Sequence, residues 1–128
     1  MIDVVAGIIF RNKKIFISRR PESSHMGGYW EFPGGKINHL ETPEAALERE
    51  LVEELGIKTR IKDFILETRW KYPEKEVNLM FFEVEWLEGQ IILSFHSEYK
   101  WVSPEDLNNF EFPPPDREIV EYLEKSNF

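Results

Sequence analysis

The chain has 128 residues, a formal net charge of -8 and no cysteine. It fits one domain, residues 1–128, that is long enough to bury a core without disulfides or a structural metal; thiolate zinc sites and thiol catalysis are excluded with the cysteines. Hydrophobic residues make up 41% and charged residues 31%, too apolar for a disordered chain. The acidic balance argues against a surface that grips a nucleic-acid polymer through many phosphate contacts, and leaves a small anionic partner screened by divalent cations.

The N-terminal MIDVVAGIIF has an acid at Asp3, no basic leader and an apolar run too short for a signal peptide or a membrane span. It reads as a strand, so no membrane partner is expected and a cytoplasmic location is. Residues 4–10 and 14–18, separated by Arg11, Asn12 and Lys13, predict a hairpin. Arg19 and Arg20 end its second strand with positive charge, PESSHMGG at 21–28 has the chemistry of a loop, and YWEF follows as a short extended piece.

A helix over residues 43–55 is bounded by Thr42 as N-cap, Pro43 at its first position and Gly56 just past its end. Leu47, Leu51 and Leu55 form its core-facing row. Residues 58–71 and 76–86 read as a long hairpin turning at 72–75, and a loop over 88–97 leads to a short strand at 99–102. In SPEDL, Ser103 is expected to cap a helical turn. FPPPD at 112–116 precedes a final amphipathic helix with Ile119, Val120 and Leu123 inward. Strands mixed with two substantial helices predict an α/β or α+β layered domain.

The stretch GGKINHLETPEAALERELVEELGI poses an energetic problem. Glu50, Glu53 and Glu54 are related by three- and four-residue steps and share an arc of roughly 100° on one helix face, where like charges repel. A solvated acidic face is the ordinary reading of such a run, but Arg49 is the only base between Pro43 and Leu55. Magnesium or manganese accounts for the cluster, because hard divalent cations take oxygen ligands and let neighbouring carboxylates stay ionised. Gly34 and Gly35 let the backbone turn and offer a carbonyl near the same ion. Arg49 can pair with a carboxylate and hold it in a coordinating rotamer.

Gly35, Glu41 and the run from Arg49 through Glu50, Leu51, Val52, Glu53, Glu54, Leu55, Gly56 to Ile57 match the Nudix box in residue and spacing. The chain therefore resembles the Nudix hydrolases. The resemblance implies an α/β/α sandwich around a mixed sheet that cleaves a nucleoside diphosphate linked to another group, with magnesium or manganese as cofactor. It implies Glu50, Glu53 and Glu54 as metal ligands with the Gly34 carbonyl, Glu53, Glu50 and Arg49 as the catalytic residues, and Glu41 as a supporting partner at the helix start.

Beyond the box, SRR at 18–20, His25, Met26, EFPGGK, EYKWVSPEDL and FPPPD resemble the MutT branch, which releases pyrophosphate from oxidised guanine nucleotides such as 8-oxo-dGTP. By that resemblance Arg20 and His25 lie near phosphate or sugar, Phe32 near the base and Asp116 at the base edge. The plainer readings are an exposed strand end for Arg20, a loop residue for His25, core for Phe32 and a helix cap for Asp116; Trp30 and Trp101 are core or pocket wall. The implied partner is a small nucleoside triphosphate, and a monomer is expected.

Two departures bear on activity. MutT carries asparagine where this chain has Asp116; an ionised aspartate only accepts hydrogen bonds, which suits the N7-H of 8-oxoguanine or the N4 amino group of cytosine but repels O6 unless protonated. This resembles the CTP pyrophosphohydrolases. Relatives usually place a glutamate where Phe95 stands, so the base role falls to Glu98 or to a helix carboxylate such as Glu53. The readings that follow are a MutT-type hydrolase, a pyrimidine nucleotide pyrophosphohydrolase, or a nucleotide-binding domain of weak turnover.

Overall fold

The computed structural model describes residues 1–126. In chain order it contains β1 (Ile2–Arg11), β2 (Lys14–Arg19), β3 (Trp30–Glu31), β4 (Gly34–Lys36), α1 (Pro43–Leu55), β5 (Lys58–Lys71), β6 (Glu76–Glu88), β7 (Glu98–Val102) and α2 (Arg117–Lys125). The first hairpin turns on Asn12 and Lys13, both left-handed at φ 53° and 64°, a backbone twist that matches the twist of the strands it joins.

β1 carries the architecture. It pairs parallel with β6 from Ile2 to Ile9, antiparallel with β4 through Val4 to Ala6, and antiparallel with β2 at Phe10 and Arg11. The result is a mixed seven-stranded sheet with the path β3-β2-β1-β6-β5, to which β4 adds on β1 and β7 on β2. Because β1 has neighbours on both edges and layers on both faces, its residues are apolar on both sides of the alternation. Val5 and Ile9 face one core, Ala6 and Ile8 the other.

On one face α1 docks Ala46, Leu47, Leu51 and Leu55 against Val5, Ile9, Phe16, Phe82 and Val84. On the other face Ile119, Val120 and Leu123 of α2 pack with Leu107 against Ile8, Ile15, Ile17 and Phe81. These layers are the α/β/α sandwich that the family resemblance implies. α1 has the expected ends: Thr42 Oγ1 accepts from Ala45 N–H, and left-handed Gly56 donates back to the Val52 carbonyl.

The long β5–β6 hairpin turns where expected and runs two residues further than 86, to Glu88. SPEDL departs from expectation. Pro104–Asn109 is a 3-10 segment, and Ser103 makes no side-chain capping bond; the six-residue segment is short and pinned by Leu107 in the core, so local packing decides its geometry rather than its cap. Among the described residues no helix is long and apolar enough to cross a membrane.

The core row of α1 supplies a direct check. Leu51 is fully buried whereas its neighbour Val52 is exposed, so Leu51→Ala should lower unfolding free energy by about 2–5 kcal/mol and Val52→Ala by about 0.5 kcal/mol or less. Urea melts of the two variants measure the difference; equal losses would mean that α1 docks by another face.

Candidate active site

A cavity of about 440 Å³ opens between the β3–β4 segment, the C-terminal half of α1, the β5–β6 turn and the loops at 95–96 and 113–116. The backbone from Trp30 to Gly34 runs along it and is tied at each end. Trp30 N–H donates to the Glu111 carbonyl at 2.8 Å, Gly7 N–H to the Pro33 carbonyl at 2.8 Å, and Gly34 N–H to Glu54 Oε1 at 3.4 Å. One end of the cavity is thus acidic and lies against α1, and the other lies against the segment that leads to Asp116.

At the acidic end a glycine makes room for a carboxylate. A Cβ on Gly35 would stand 2.4 Å from Glu50 Cδ and 2.6 Å from each of its carboxylate oxygens, so only a residue without a side chain lets Glu50 lie on the β4 backbone. Arg49 binds the neighbouring acids. Its Nε and one terminal nitrogen form a two-point contact with Glu41 at 2.8 and 3.0 Å. The other terminal nitrogen donates to Glu50 at 2.9 Å and to Glu53 at 3.3 Å. These bonds, Arg49 first and the Asn38 N–H second, hold the Glu41 carboxyl below the usual carboxylate range and push the Arg49 guanidinium up.

Glu50, Glu53 and Glu54 turn to different partners in this structure. Among the described residues no three acidic or imidazole side chains stand together as an ion-holding group, because Arg49 draws Glu50 and Glu53 to its own side while Glu54 turns to the Gly34 N–H. Burial first, then the charges of Glu31 and Glu50, push the Glu54 carboxyl up to about 8. The donors are all oxygen, Gly35 leaves room beside Glu50, and the charges of Glu31 and Glu50 on Glu54 outweigh that of Arg20, so these residues fit a hard divalent cation.

The middle of the cavity holds a charged cluster. Glu31 Oε2 accepts from His96 Nε2 at 2.6 Å and from Arg20 at 3.2 Å. Arg20 Nε also donates to the His25 carbonyl at 2.6 Å, and its guanidinium lies 5.2 Å from the centroid of Phe95. At the far end Phe32 stacks on Phe112 with centroids 5.2 Å apart, so it is both core and cavity wall. Asp116 stands at the N-cap position of α2, as the plainer reading has it, but its side chain makes no capping bond; it is 6% exposed and borders the cavity. Burial, with Glu31 adding to it, pushes the Asp116 carboxyl up to about 8.

The structure brings Arg20, His25, Phe32, Gly34, Glu50, Glu54 and Asp116 onto one cavity wall. Arg49 and Glu53 stand off the wall and reach it through Glu50. Glu98 points elsewhere, 3.5 Å from Arg19, and Trp30 and Trp101 belong to the two cores. The sequence reading missed Glu31, Tyr72 and Lys75 as wall residues. The available signal for Glu31 was an acid between two buried aromatics, Trp30 and Phe32; Tyr72 and Lys75 sit in a turn whose place over the cavity has no local signature.

A family model described as a NUDIX domain matches residues 4–122. The chain is 36% identical to the 8-oxo-dGTP diphosphatase of Escherichia coli K12, the alignment covering 97% of each chain. It is 35% identical to the CTP pyrophosphohydrolase of the same organism over 94% of this chain and 90% of the other. The MutT protein structure from Methanosarcina mazei Go1 superposes with a TM-score of 0.86 at 31% identity, covering 97% of this chain and 93% of that one. The chain belongs to the Nudix hydrolase family.

Asp116 makes stability depend on pH. Its carboxyl ionises in the unfolded chain near 3.8 but in the folded protein at about 8, so between those values the unfolded state binds fewer protons and stability falls as pH rises. Asp116→Asn should remove that slope and gain stability relative to the native protein from pH 5 to pH 8. Urea melts at both pH values test it, and parallel profiles would show Asp116 ionised when folded.

Proposed function

We propose that the protein hydrolyses an oxidised purine nucleoside triphosphate, 8-oxo-dGTP, to the monophosphate and pyrophosphate, and so cleans the nucleotide pool. The observation that carries this is one cavity with carboxylates and a glycine-lined approach at one end and, at the other, a buried Asp116 whose carboxyl is pushed up to about 8. A neutral carboxyl has an O–H to donate to O6 and a carbonyl oxygen to accept from N7-H, the pair that 8-oxoguanine presents. Protonation therefore removes the repulsion that an ionised aspartate would meet at O6. The names of the diphosphatase relatives agree.

Glu50, Glu53, Glu54 and the Gly34 carbonyl would hold magnesium or manganese. When bound there, such a cation would supply charge neutralisation on the anhydride and lower the pKa of the attacking water. Arg49 bonds both Glu50 and Glu53, and on this reading Glu53, the most exposed of these acids, takes a proton from water. Arg20 and His25 face the phosphate or sugar, while Phe32 offers its ring to the base. Water adds across the α,β-anhydride, one P–O bond breaks and pyrophosphate leaves. The reading includes action as a single domain, as a monomer and in the cytoplasm.

A second reading, a CTP or modified pyrimidine pyrophosphohydrolase, is favoured by the CTP pyrophosphohydrolase relative and requires Asp116 ionised to accept from N4. A magnesium-dependent pyrophosphate-release assay across 8-oxo-dGTP, dGTP, CTP and 5-hydroxy-CTP separates the readings. The first expects 8-oxo-dGTP to exceed dGTP by roughly 10- to 100-fold in kcat/KM, because a buried polar group left unpaired costs about 1–3 kcal/mol. CTP turnover with none of 8-oxo-dGTP would replace it with the second, and binding without release would make the protein a nucleotide sensor. Glu53→Gln should lower kcat by about 10²–10⁴-fold; near-native kcat would remove Glu53 from the base role.

A further inference from the structure

Glu31 has a task that neither the metal end nor the base end of the site accounts for. It lies on the Trp30–Gly34 segment, between the tie to Glu111 on the way to Asp116 and the tie to Glu54. Both carboxyls feel its charge, as a group placed between them must. On the proposed-function reading a nucleotide in this cavity has its anhydride at Glu50 and Glu54 and its base at Asp116, so the part beside Glu31 is the sugar.

The two oxygens of Glu31 differ. Oε2 takes the bonds from His96 and Arg20. Among the described residues Oε1 accepts none and is not sealed from solvent, and the residue borders the cavity. The His96 ring is buried, with its Nε2–H directed at Oε2, which fixes the carboxylate plane and leaves Oε1 presented. His96 Nδ1 also lacks a partner, but it is sealed. Arg20 offsets the charge of Glu31, so the carboxylate can stand beside an anionic ligand.

A deoxyribose has a single hydrogen-bond donor when the nucleotide is joined at its 5′ position, the 3′-hydroxyl. A carboxylate oxygen can only accept. Arg20 can only donate. We propose that Glu31 is a specificity residue of this site: its free Oε1 accepts the hydrogen bond of the substrate's 3′-hydroxyl, and His96 is the positioning residue that holds it there. The inference rests on the proposed placement of the nucleotide.

The test is a cycle between protein and ligand, read as equilibrium binding so that turnover and metal do not enter. Isothermal titration of dGMP, ddGMP, dCMP and ddCMP is performed on the native protein, Glu31→Ala and Glu31→Gln. A hydrogen bond to a charged group contributes about 1.5–3 kcal/mol, so for at least one base the dideoxy form should bind the native protein roughly 10-fold or more weakly. That ratio should fall to about 2-fold or less in Glu31→Ala and lie between the two in Glu31→Gln, which keeps the side chain's shape and an acceptor. The same ratio in the native protein and both variants would overturn the assignment. Hydrolysis of 8-oxo-dGTP by the native protein with no dideoxy penalty would overturn it while leaving the proposed function standing. No saturable binding of any monophosphate would remove the placement on which it rests.

Discussion

The Glu50 carboxylate lies directly on the backbone of Gly35, at a distance that any side chain on that residue would abolish. This approach brings the polar face of α1 against the edge of the sheet, and the rest of the site is arranged around it. β4 is held by pairing with β1 at Val4, Val5 and Ala6, while α1 is held by Leu47, Leu51 and Leu55 in the core behind it. Rigid elements on both sides leave the acids little freedom, which is how a binding site keeps its geometry. Arg49 completes the arrangement by spanning Glu41, Glu50, Glu53 and the Lys36 carbonyl.

From that contact the cavity becomes a gradient of chemical character. Its acidic end concentrates carboxylates whose repulsion appears in Glu54. Its middle is balanced by Arg20 and His96 against Glu31. Its far wall is aromatic and proline-rich around a carboxyl that burial pushes up to about 8. On the proposed reading, a triphosphate with its cation, a sugar and a flat base meet those surroundings in that order. Charge is thus screened where the ligand is charged, and polar groups are sparse where the ligand is flat and apolar.

Much of the fold was legible because local chemistry and packing agree. Thr42, Pro43 and Gly56 mark the ends of α1, and the leucine row marks the face that docks. The β5–β6 hairpin reads from β-branched and aromatic residues on either side of its turn. SPEDL was misread because a capping serine is a local signal, whereas Leu107 is drawn in by a core assembled from distant strands. In the site, the box residues were recognisable by spacing, but the arrangement of their carboxylates was not. Which acid pairs with Arg49 depends on Lys36 and Glu41, brought beside the helix by the loop that precedes it.

The sequence by itself determined the elements, the family and the acids of the helix, because each is written in residues close along the chain. Only the tertiary structure decided which of those acids face the cavity, that Glu31 stands between the two ends of the site, and that the Asp116 carboxyl is buried and pushed up. Burial and the field of neighbouring charges set a carboxyl's proton affinity, and both come from residues far apart in sequence: Asp116 feels Glu31 across the cavity, and Glu31 is held by His96 from a loop 65 residues further on.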